Sequence, residues 1–367
     1  MIFATVNVGL FLLGLYIVYI TLLSAIRTLV LPRSAPDGLV RFLFTSVRRL
    51  FEIRMRGVGD FRGRDRILAY YAPVGLFLLL PLWLTTTLVG FMLMNWATGI
   101  RPWSEAFTVS GSSLLTLGFA KGDVLIHTVL AFVEATIGLM LVALLIAYLP
   151  TMYNAFSKRE QAVTLLETRG GSPPSAWEII SRAHRIAGLE MLDDFWSTWE
   201  NWFAELAESH TSLAPLVFFR SPKADQSWVT ASGAALDTAA LYLSTLDMPW
   251  KPEAALCLRS GYLALRQIAD FFRVSYNPDA AYPDDPISIN QAEYDALYDQ
   301  FLQLGVPLKA DREQAWHDFA GWRVNYDAVL LALCTITMAP KAPWSSDRAP
   351  RYSILPSMAR QGNRVAE

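Results

Sequence analysis

A short polar segment lies between two apolar stretches that are each long enough to cross a membrane. The segment covers residues 112–119 and contains two serines, a threonine and a glycine. A polar, irregular backbone at membrane depth is tolerated only where it is buried in protein or lines a water-filled path. This placement constrains the fold more than any other feature, and it predicts a re-entrant segment within a membrane protein.

Three apolar stretches define the predicted membrane spans, at about residues 2–31, 72–97 and 124–149. Each exceeds the roughly 20 residues that a helix needs to cross the hydrocarbon core. The first stretch has no charged residue before Arg27. A signal peptide carries its positive charge ahead of a shorter apolar core, so we expect a retained transmembrane helix here.

Charge is distributed unevenly along the chain. Of 367 residues, 53% are hydrophobic and 17% are charged, whereas soluble proteins carry about 25% charged residues. Residues 1–154 hold twelve basic and seven acidic residues, and residues 155–367 hold nineteen and twenty-six. The sequence therefore predicts a basic membrane half followed by an acidic soluble half, and the acidic half argues against a nucleic-acid partner.

The basic residues also predict the orientation. Nine arginines lie between the first two spans, and Lys158 and Arg159 follow the third. Since positive loops stay inside, we expect a multi-pass protein of the cell (inner) membrane with its N-terminus outside. The domain that follows the third span is expected in the cytoplasm.

Residues 32–71 form a basic cytoplasmic segment that contains a predicted amphipathic helix at residues 39–55. Apolar residues recur there at helical spacing, at Leu39, Leu43, Val47 and Leu50. Arginines lie among them, at Arg41, Arg48 and Arg49. A basic amphipathic helix binds anionic lipid headgroups. Two roles stay open, a simple anchor on the leaflet or a lever between the soluble domain and the second span.

The remainder of the chain is predicted to be all-α. A linker is expected at residues 155–174, a helical domain at 175–340 and a poorly ordered tail at 341–367. Helical periodicity recurs through the domain, and no alternating apolar pattern indicates a strand. The predicted fold is thus an all-α membrane protein with three transmembrane helices, a re-entrant pore helix and loop, and a C-terminal all-α cytoplasmic domain.

Between the second and third spans, the sequence predicts a short helix and then a polar strip. Ser104 suits the N-cap, and Glu105 suits the positive end of the helix dipole. A helix over residues 105–115 spans roughly 16 Å, too little to cross the bilayer, and its negative C-terminal end favours a cation. Residues 116–119, which we call strip 116–119, then return toward the outside. The carbonyl groups of such a strip can replace the water shell of an ion.

Residues 72–160 resemble the two-helix pore module of potassium-channel-like proteins. Strip 116–119 stands where that family has Thr-Val-Gly-Tyr, and its members are Thr116, Leu117, Gly118 and Phe119. The resemblance implies a homotetramer around a central path for a monovalent cation, with potassium the expected ion. It also implies gating by the third span, where Gly138 and Pro150 are the candidate hinges; for Pro150 a simple helix end is the alternative.

The chain departs from the family pattern just after the strip, where Ala120, Lys121, Gly122 and Asp123 follow. Either Ala120 replaces the second glycine of the family or Ala120 and Lys121 are inserted before Gly122. A left-handed conformation at Ala120 would cost about 1 kcal/mol or more. Lys121 would place positive charge at the outer mouth. This charge repels cations unless carboxylates such as Asp123 compensate it.

Glu134 is the one carboxylate inside a predicted span, and ionisable residues at this depth are candidates for function. We expect Glu134 to brace the strip from behind, through Lys121 or a backbone amide. A direct ion site is the alternative.

Motifs of other functional classes are missing from the sequence. It has no Gly-x-x-x-x-Gly-Lys-Ser/Thr phosphate loop, no His-Glu-x-x-His and no Gly-x-Ser-x-Gly. Cys257 and Cys334 lie in apolar runs typical of a helical core. We therefore predict no catalytic residue, no metal site and no cofactor other than a permeant cation.

Two functional hypotheses follow. The first is a cation-channel subunit whose helical domain gates the pore in response to an unidentified cytoplasmic ligand or partner. The second is a non-conducting membrane scaffold or sensor that keeps the pore fold.

Overall fold

The structure is a computed structural model that describes residues 2–31 and 37–349. Within these ranges every regular element is a helix, and the one β-bridge is an isolated pair, Leu246 with Leu308. The prediction of an all-α fold is confirmed. The chain divides into two compact units. The membrane unit is residues 1–155 and 212–219, and the helical unit is residues 156–211 and 220–367.

Within the described residues, the membrane unit contains five helices and most of a sixth. These are α1 (Ile2–Leu29), α2 (Gly38–Met55), α3 (Phe61–Leu68), α4 (Tyr71–Ala97), α5 (Trp103–Leu114) and α6 (Leu125–Gly170). In the part of the chain that the structure describes, three stretches are long and apolar enough to cross a membrane, Thr5–Leu29, Phe61–Ala97 and Leu125–Gly170. The three predicted spans are thereby found as helices of membrane-spanning length.

Helices α1 and α4 pack closely because small residues meet at their crossing. A Cβ atom at Gly14 would collide with the carbonyl oxygen of Gly90, so both positions need glycine for this approach. Small residues serve helix packing in membranes in this way. A hydroxyl pair, Thr21 with Thr86 at 3.0 Å, adds a hydrogen bond between the same two helices.

Asp37 connects the start of α2 to α1. Its carboxylate accepts from the Val40 amide at 2.9 Å as the N-cap of α2 and from the Ser24 hydroxyl at 2.7 Å. The cap therefore fixes the position of α2 against the end of the first span.

The third predicted span extends beyond its expected end. Helix α6 is continuous from Leu125 to Gly170, so Pro150 does not end it and most of the predicted linker at 155–174 is helical. Proline removes one backbone hydrogen bond, but the residues that follow are good helix formers. They also bury one side, at Val163 and Leu166.

The described part of the helical unit holds seven further helices. They are α7 (Ala176–Ile186), α8 (Asp193–Ser212), α9 (Trp228–Ser244), α10 (Pro252–Phe271), α11 (Gln291–Gln303), α12 (Arg312–Arg323) and α13 (Asp327–Thr337). Helix α9 is the centre of this unit, and all of its residues are buried. It contacts α7, α10, α12 and α13, which explains why its sequence is apolar or small on every side.

A buried ionic cluster connects α9 to α12 and α13. The guanidinium group of Arg323 donates to Asp237 and, at 2.7 Å, to Asp327, and the Tyr326 hydroxyl donates to Asp237 at 2.7 Å. Burial alone would lower the pKa of Arg323, but the two carboxylates raise it above its ordinary value. We call these residues the Arg323 cluster.

The first residues of the predicted C-terminal tail are folded. Residues 341–349 fold against the helical unit, where Ala342 and Ser345 are buried and Arg348 pairs with Glu293 at 2.6 Å. The start of the predicted tail is therefore packed rather than poorly ordered. The rest of that tail, residues 350–367, lies outside the described residues.

Candidate functional site

Aromatic and cationic side chains pack together around the turn that precedes helix α5. Trp96 and Trp103 stack with ring centroids 4.5 Å apart, and the Arg101 guanidinium lies over the Trp96 ring. Pro102 occupies the N-cap position, without a side-chain cap. The predicted cap at Ser104 is therefore wrong, since Ser104 lies in the first turn of the helix.

Helix α5 is half the length of a membrane span and ends against α6. Its 12 residues extend about 18 Å, compared with about 30 Å of hydrocarbon. A Cβ atom at Gly138 would collide with the carbonyl oxygen of Leu114 at the end of α5. Gly138 therefore allows α6 to approach the end of α5. The proposed hinge at Gly138 stays a prediction, because α6 is continuous there.

Strip 116–119 wraps around the last turn of α5. The Leu117 and Gly118 amides donate to the Ser112 carbonyl at 2.8 and 3.3 Å, and the Thr116 amide donates to the Ser113 carbonyl at 3.0 Å. The side chains of the strip point outward, with Leu117 59% and Phe119 69% exposed. The strip thus presents a surface that this single chain leaves uncovered.

Backbone strain occurs at Thr116 and not at Ala120. Thr116 has φ of 56° and Gly118 has φ of 73°. Glycine takes this conformation without strain, but a β-branched residue does so rarely, usually at a functional site. Ala120 is not among the described residues with positive φ, so the expected penalty at Ala120 does not arise. Its amide instead donates to the Ser112 hydroxyl at 3.0 Å.

Glu134 lies on α6, where its side chain is fully buried against α5. Its carboxylate accepts from the Ser110 hydroxyl, and the same hydroxyl lies 3.2 Å from the carbonyl oxygen of Leu88 on α4. The expected partner, Lys121 or a backbone amide, is thus replaced by a serine in the middle of α5. Glu134 therefore contacts α5 through Ser110 rather than contacting the strip itself, and the single Ser110 hydrogen is donated to either Glu134 or Leu88 at one time.

The segment that follows the strip contains exposed and buried polar groups side by side. Lys121 and Asp123 are exposed. Gly122 lies against the ring of His127, and a Cβ atom at Gly122 would collide with that ring. His127 is buried, and neither of its ring nitrogens has a hydrogen-bond partner among the described residues. Sequence reasoning assigned no role to this histidine.

The arginines of α2 are divided between surface and interior. Arg41 and Arg49 are exposed, whereas Arg48 is only 5% exposed. The Arg48 guanidinium pairs with Glu52 at 3.1 Å and lies over the rings of Tyr71 and Phe218. Of the three arginines predicted to bind headgroups, two therefore lie on the surface and one is part of the protein core.

The apolar side of α2 also differs from the prediction. Val47 is buried, Leu39 and Leu43 are half-buried, and Leu50 is exposed. Since Phe42 and Ile53 are exposed as well, the helix has apolar residues on both its protein side and its outer side.

The predicted basic exit after the third span is also divided. Lys158 is exposed and lies 3.9 Å from Glu205. Arg159 is buried, pairs with Glu160 at 2.7 Å and contacts the His210 ring at 3.3 Å. Arg159 is therefore a packing residue of the helical unit.

Sequence reasoning assigned no role to two buried serines of the candidate site, Ser110 and Ser112. A signal was present, because these buried hydroxyls occur in a helix that lies between two membrane spans. Among the residues described here, no group of three or more His, Cys, Asp or Glu side chains has the proximity that a metal ion needs. Comparison with protein-family models, curated proteins and solved structures finds no match to this chain.

Proposed function

We propose that this chain is a subunit of a potassium-channel-like cation channel. The observation that carries the proposal is the half-length helix α5, which is followed by an exposed strip with left-handed residues at Thr116 and Gly118. Both lie between helices α4 and α6, which are long enough to span a membrane. In this proposal strip 116–119 and Ala120 line the ion path, and Lys121 and Asp123 flank its outer mouth.

The ion path is enclosed by a homotetramer, a stoichiometry that the family resemblance supplies. The exposed strip supports this assembly, because a single chain has nothing to cover Leu117 and Phe119. Exposed apolar residues along α6, among them Phe132, Leu139 and Ile146, are available to contact lipid or neighbouring subunits. The re-entrant placement of α5 and the strip is part of the same proposal.

The helical unit acts on the pore through α6. This helix belongs to both units, since it begins at Leu125 and ends at Gly170, so a change in the helical unit can be transmitted along one continuous element. In the proposed orientation the N-terminus is outside and the helical unit is in the cytoplasm of a cell whose inner membrane holds the channel.

Helix α2 anchors the chain on the anionic leaflet. The exposed Arg41 and Arg49 supply positive charge, and the exposed Phe42, Leu50 and Ile53 supply apolar contacts. This combination is typical of helices that lie in the membrane interface.

The test is the reversal potential of the purified full-length chain in a planar bilayer, with potassium on one side and sodium on the other. A potassium-selective potential supports a working filter. A potential near zero with clear current supports a cation pore that does not discriminate between the two. Equal permeability to chloride would refute the proposal.

A non-conducting scaffold or sensor is the second candidate, and exposed Lys121 next to the strip favours it. Four copies would place four positive charges around the axis, which repels cations. The full-length Lys121→Gln variant separates the two hypotheses. Current that appears only in this variant would indicate a path blocked by charge, and silence in both proteins would favour the scaffold.

A further inference from the structure

Ser112 makes hydrogen bonds to three amides of the segment that follows α5. Its carbonyl oxygen accepts from Leu117 and Gly118, and its hydroxyl oxygen accepts from Ala120 at 3.0 Å. Ser112 is 1% exposed. One buried residue therefore holds Leu117 and Gly118 of the strip, and Ala120 just after it, by their N–H groups.

The direction of these amides determines the direction of the neighbouring carbonyls. In a trans peptide unit the N–H of one residue and the C=O of the residue before it point in opposite directions. Because the amides of residues 117, 118 and 120 point toward Ser112, the carbonyls of Thr116, Leu117 and Phe119 point away from it. These carbonyls thus face away from the body of α5.

We propose that Ser112 is the positioning residue that directs the carbonyl oxygens of Thr116, Leu117 and Phe119 toward the permeant cation. The inference rests on the proposed channel function and adds the residue that determines selectivity. It also accounts for Ala120, where the related family has glycine. A side-chain acceptor in the helix fixes the Ala120 peptide, so no left-handed glycine is needed at this position.

Ser112 holds the segment through its side-chain hydroxyl, which mutation to alanine removes, and through its backbone carbonyl, which the mutation leaves. Ser112→Ala removes the acceptor of the Ala120 amide and so frees the Phe119 carbonyl. The backbone carbonyl of residue 112 still accepts from Leu117 and Gly118, which preserves the wrap of the strip. The expected result is a folded channel with impaired selectivity.

The chain offers a matched control one residue away. Ser113 is half-buried, and its hydroxyl donates to the Val109 carbonyl at 2.9 Å within α5. Ser113→Ala therefore removes a hydroxyl from the same turn without removing a side-chain contact to the strip. Ser112→Thr is the rescue variant, since it keeps the hydroxyl oxygen.

The experiment uses the full-length chain in bilayers of defined lipid and measures two quantities. The first is the potassium-to-sodium permeability ratio from the reversal potential, and the second is the hydrogen-exchange rate of the Ala120 amide. For Ser112→Ala we expect the ratio to fall at least tenfold and the exchange to accelerate at least tenfold. Ser113→Ala and Ser112→Thr are expected to stay within about twofold of the wild type in both. If Ser112→Ala does not fold, Ser112→Cys, whose sulfur is a weaker acceptor, is expected to shift both quantities in the same direction.

Failure of this inference is distinguishable from failure of the channel proposal. A wild-type chain that passes no cation refutes the channel, and with it the cation-directing role. Faster Ala120 exchange in Ser112→Ala then still verifies the holding contact. A selective wild-type channel whose permeability ratio is unchanged in Ser112→Ala overturns the inference alone. A wild-type channel without discrimination between potassium and sodium overturns it as well.

Discussion

Two buried polar sites, one in each unit, satisfy their polar groups in different ways. In the helical unit the Arg323 cluster pairs a guanidinium with two carboxylates and a tyrosine hydroxyl. In the membrane unit Glu134 has a serine hydroxyl as its partner, and its second carboxylate oxygen has no hydrogen bond among the described residues. The first arrangement is charge-paired, whereas the second relies on neutral groups and backbone.

This difference separates a structural cluster from a candidate functional one. Buried charges persist where each is paired and hydrogen-bonded, and the Arg323 cluster meets that condition inside a core built on α9. Polar residues at membrane depth are costly, and they are retained where function needs them. The comparison therefore supports a structural role for the Arg323 cluster and agrees with the functional role proposed for the residues around α5.

The largest expected effect is the loss of the Arg323 cluster. Arg323→Ala leaves Asp237 and Asp327 buried without their cation, and we expect the free energy of unfolding of the helical unit to fall by about 3–5 kcal/mol. Denaturant titration of the full-length chain in detergent measures the change. Arg312→Ala is the control, because this arginine pairs with Asp299 at a partly exposed site, where a pair contributes about 0–1 kcal/mol. Equal losses in the two variants would contradict the structural role of the cluster.

The second prediction compares Gly138, where α6 meets the end of α5, with Gly111 within α5. Gly138→Ala places a methyl group against the Leu114 carbonyl, and we expect a loss of about 1–3 kcal/mol by overpacking. Gly111→Ala, in the middle of α5, meets only a Leu88 methyl group at 3.8 Å. We expect this control to be neutral or stabilising by about 0.5–1 kcal/mol, because alanine favours helix. Thermal unfolding in detergent compares the stability of the two variants. A Gly111→Ala variant that is destabilised would contradict the assignment of the tight contact to Gly138.

The third prediction tests Glu134 as a brace. Glu134→Ala removes the partner of Ser110, and we expect a loss of about 1–3 kcal/mol together with altered permeability. Glu134→Gln keeps the shape and a hydrogen bond, so it should remain close to the wild type in both stability and permeability. A Glu134→Gln channel that is stable but conducts poorly would instead support the direct ion site, because only the charge has been removed.

Sequence patterns predicted the spans and the helical class because both depend on local composition. More than 20 consecutive apolar residues fit few structures other than a membrane helix. The interior location of Arg48 was not predictable in this way, since it depends on Phe218, which is distant in sequence. The role of Ser112 depends on how residues 116–120 turn back, and the strain at Thr116 depends on the same turn. The continuity of α6 depends on burial of Val163 and Leu166 within the helical unit, which outweighs the signal of Pro150.

The fourth prediction uses His210, a buried titratable group of the helical unit. Burial lowers the pKa of His210 well below its ordinary value, and the nearby Arg159 lowers it further. The unfolded chain therefore binds a proton below about pH 6.5, where folded His210 stays neutral, so stability falls as the pH decreases. We expect a loss of up to about 1.4 kcal/mol over the first pH unit below 6.5. Unfolding titrations at pH 7.5 and 5.5 measure it, and His210→Gln should show a smaller pH dependence. An unchanged pH dependence in that variant would assign the effect to other groups.

The smallest expected change in stability belongs to Thr116, but it bears most directly on the comparison of the two units. Thr116→Gly relieves the left-handed strain, and we expect a gain of about 1 kcal/mol, offset in part by the greater freedom of glycine in the unfolded chain. If the strain serves function, the same variant should lose selectivity in the reversal-potential measurement while its unfolding temperature holds or rises. Met338 is the control, since it also has positive φ, at 50°, but lies in the helical unit. Met338→Gly should change stability alone. A Thr116→Gly variant with unchanged selectivity would make this strain a local feature of the turn, and strip 116–119 would then resemble the Arg323 cluster in serving structure only.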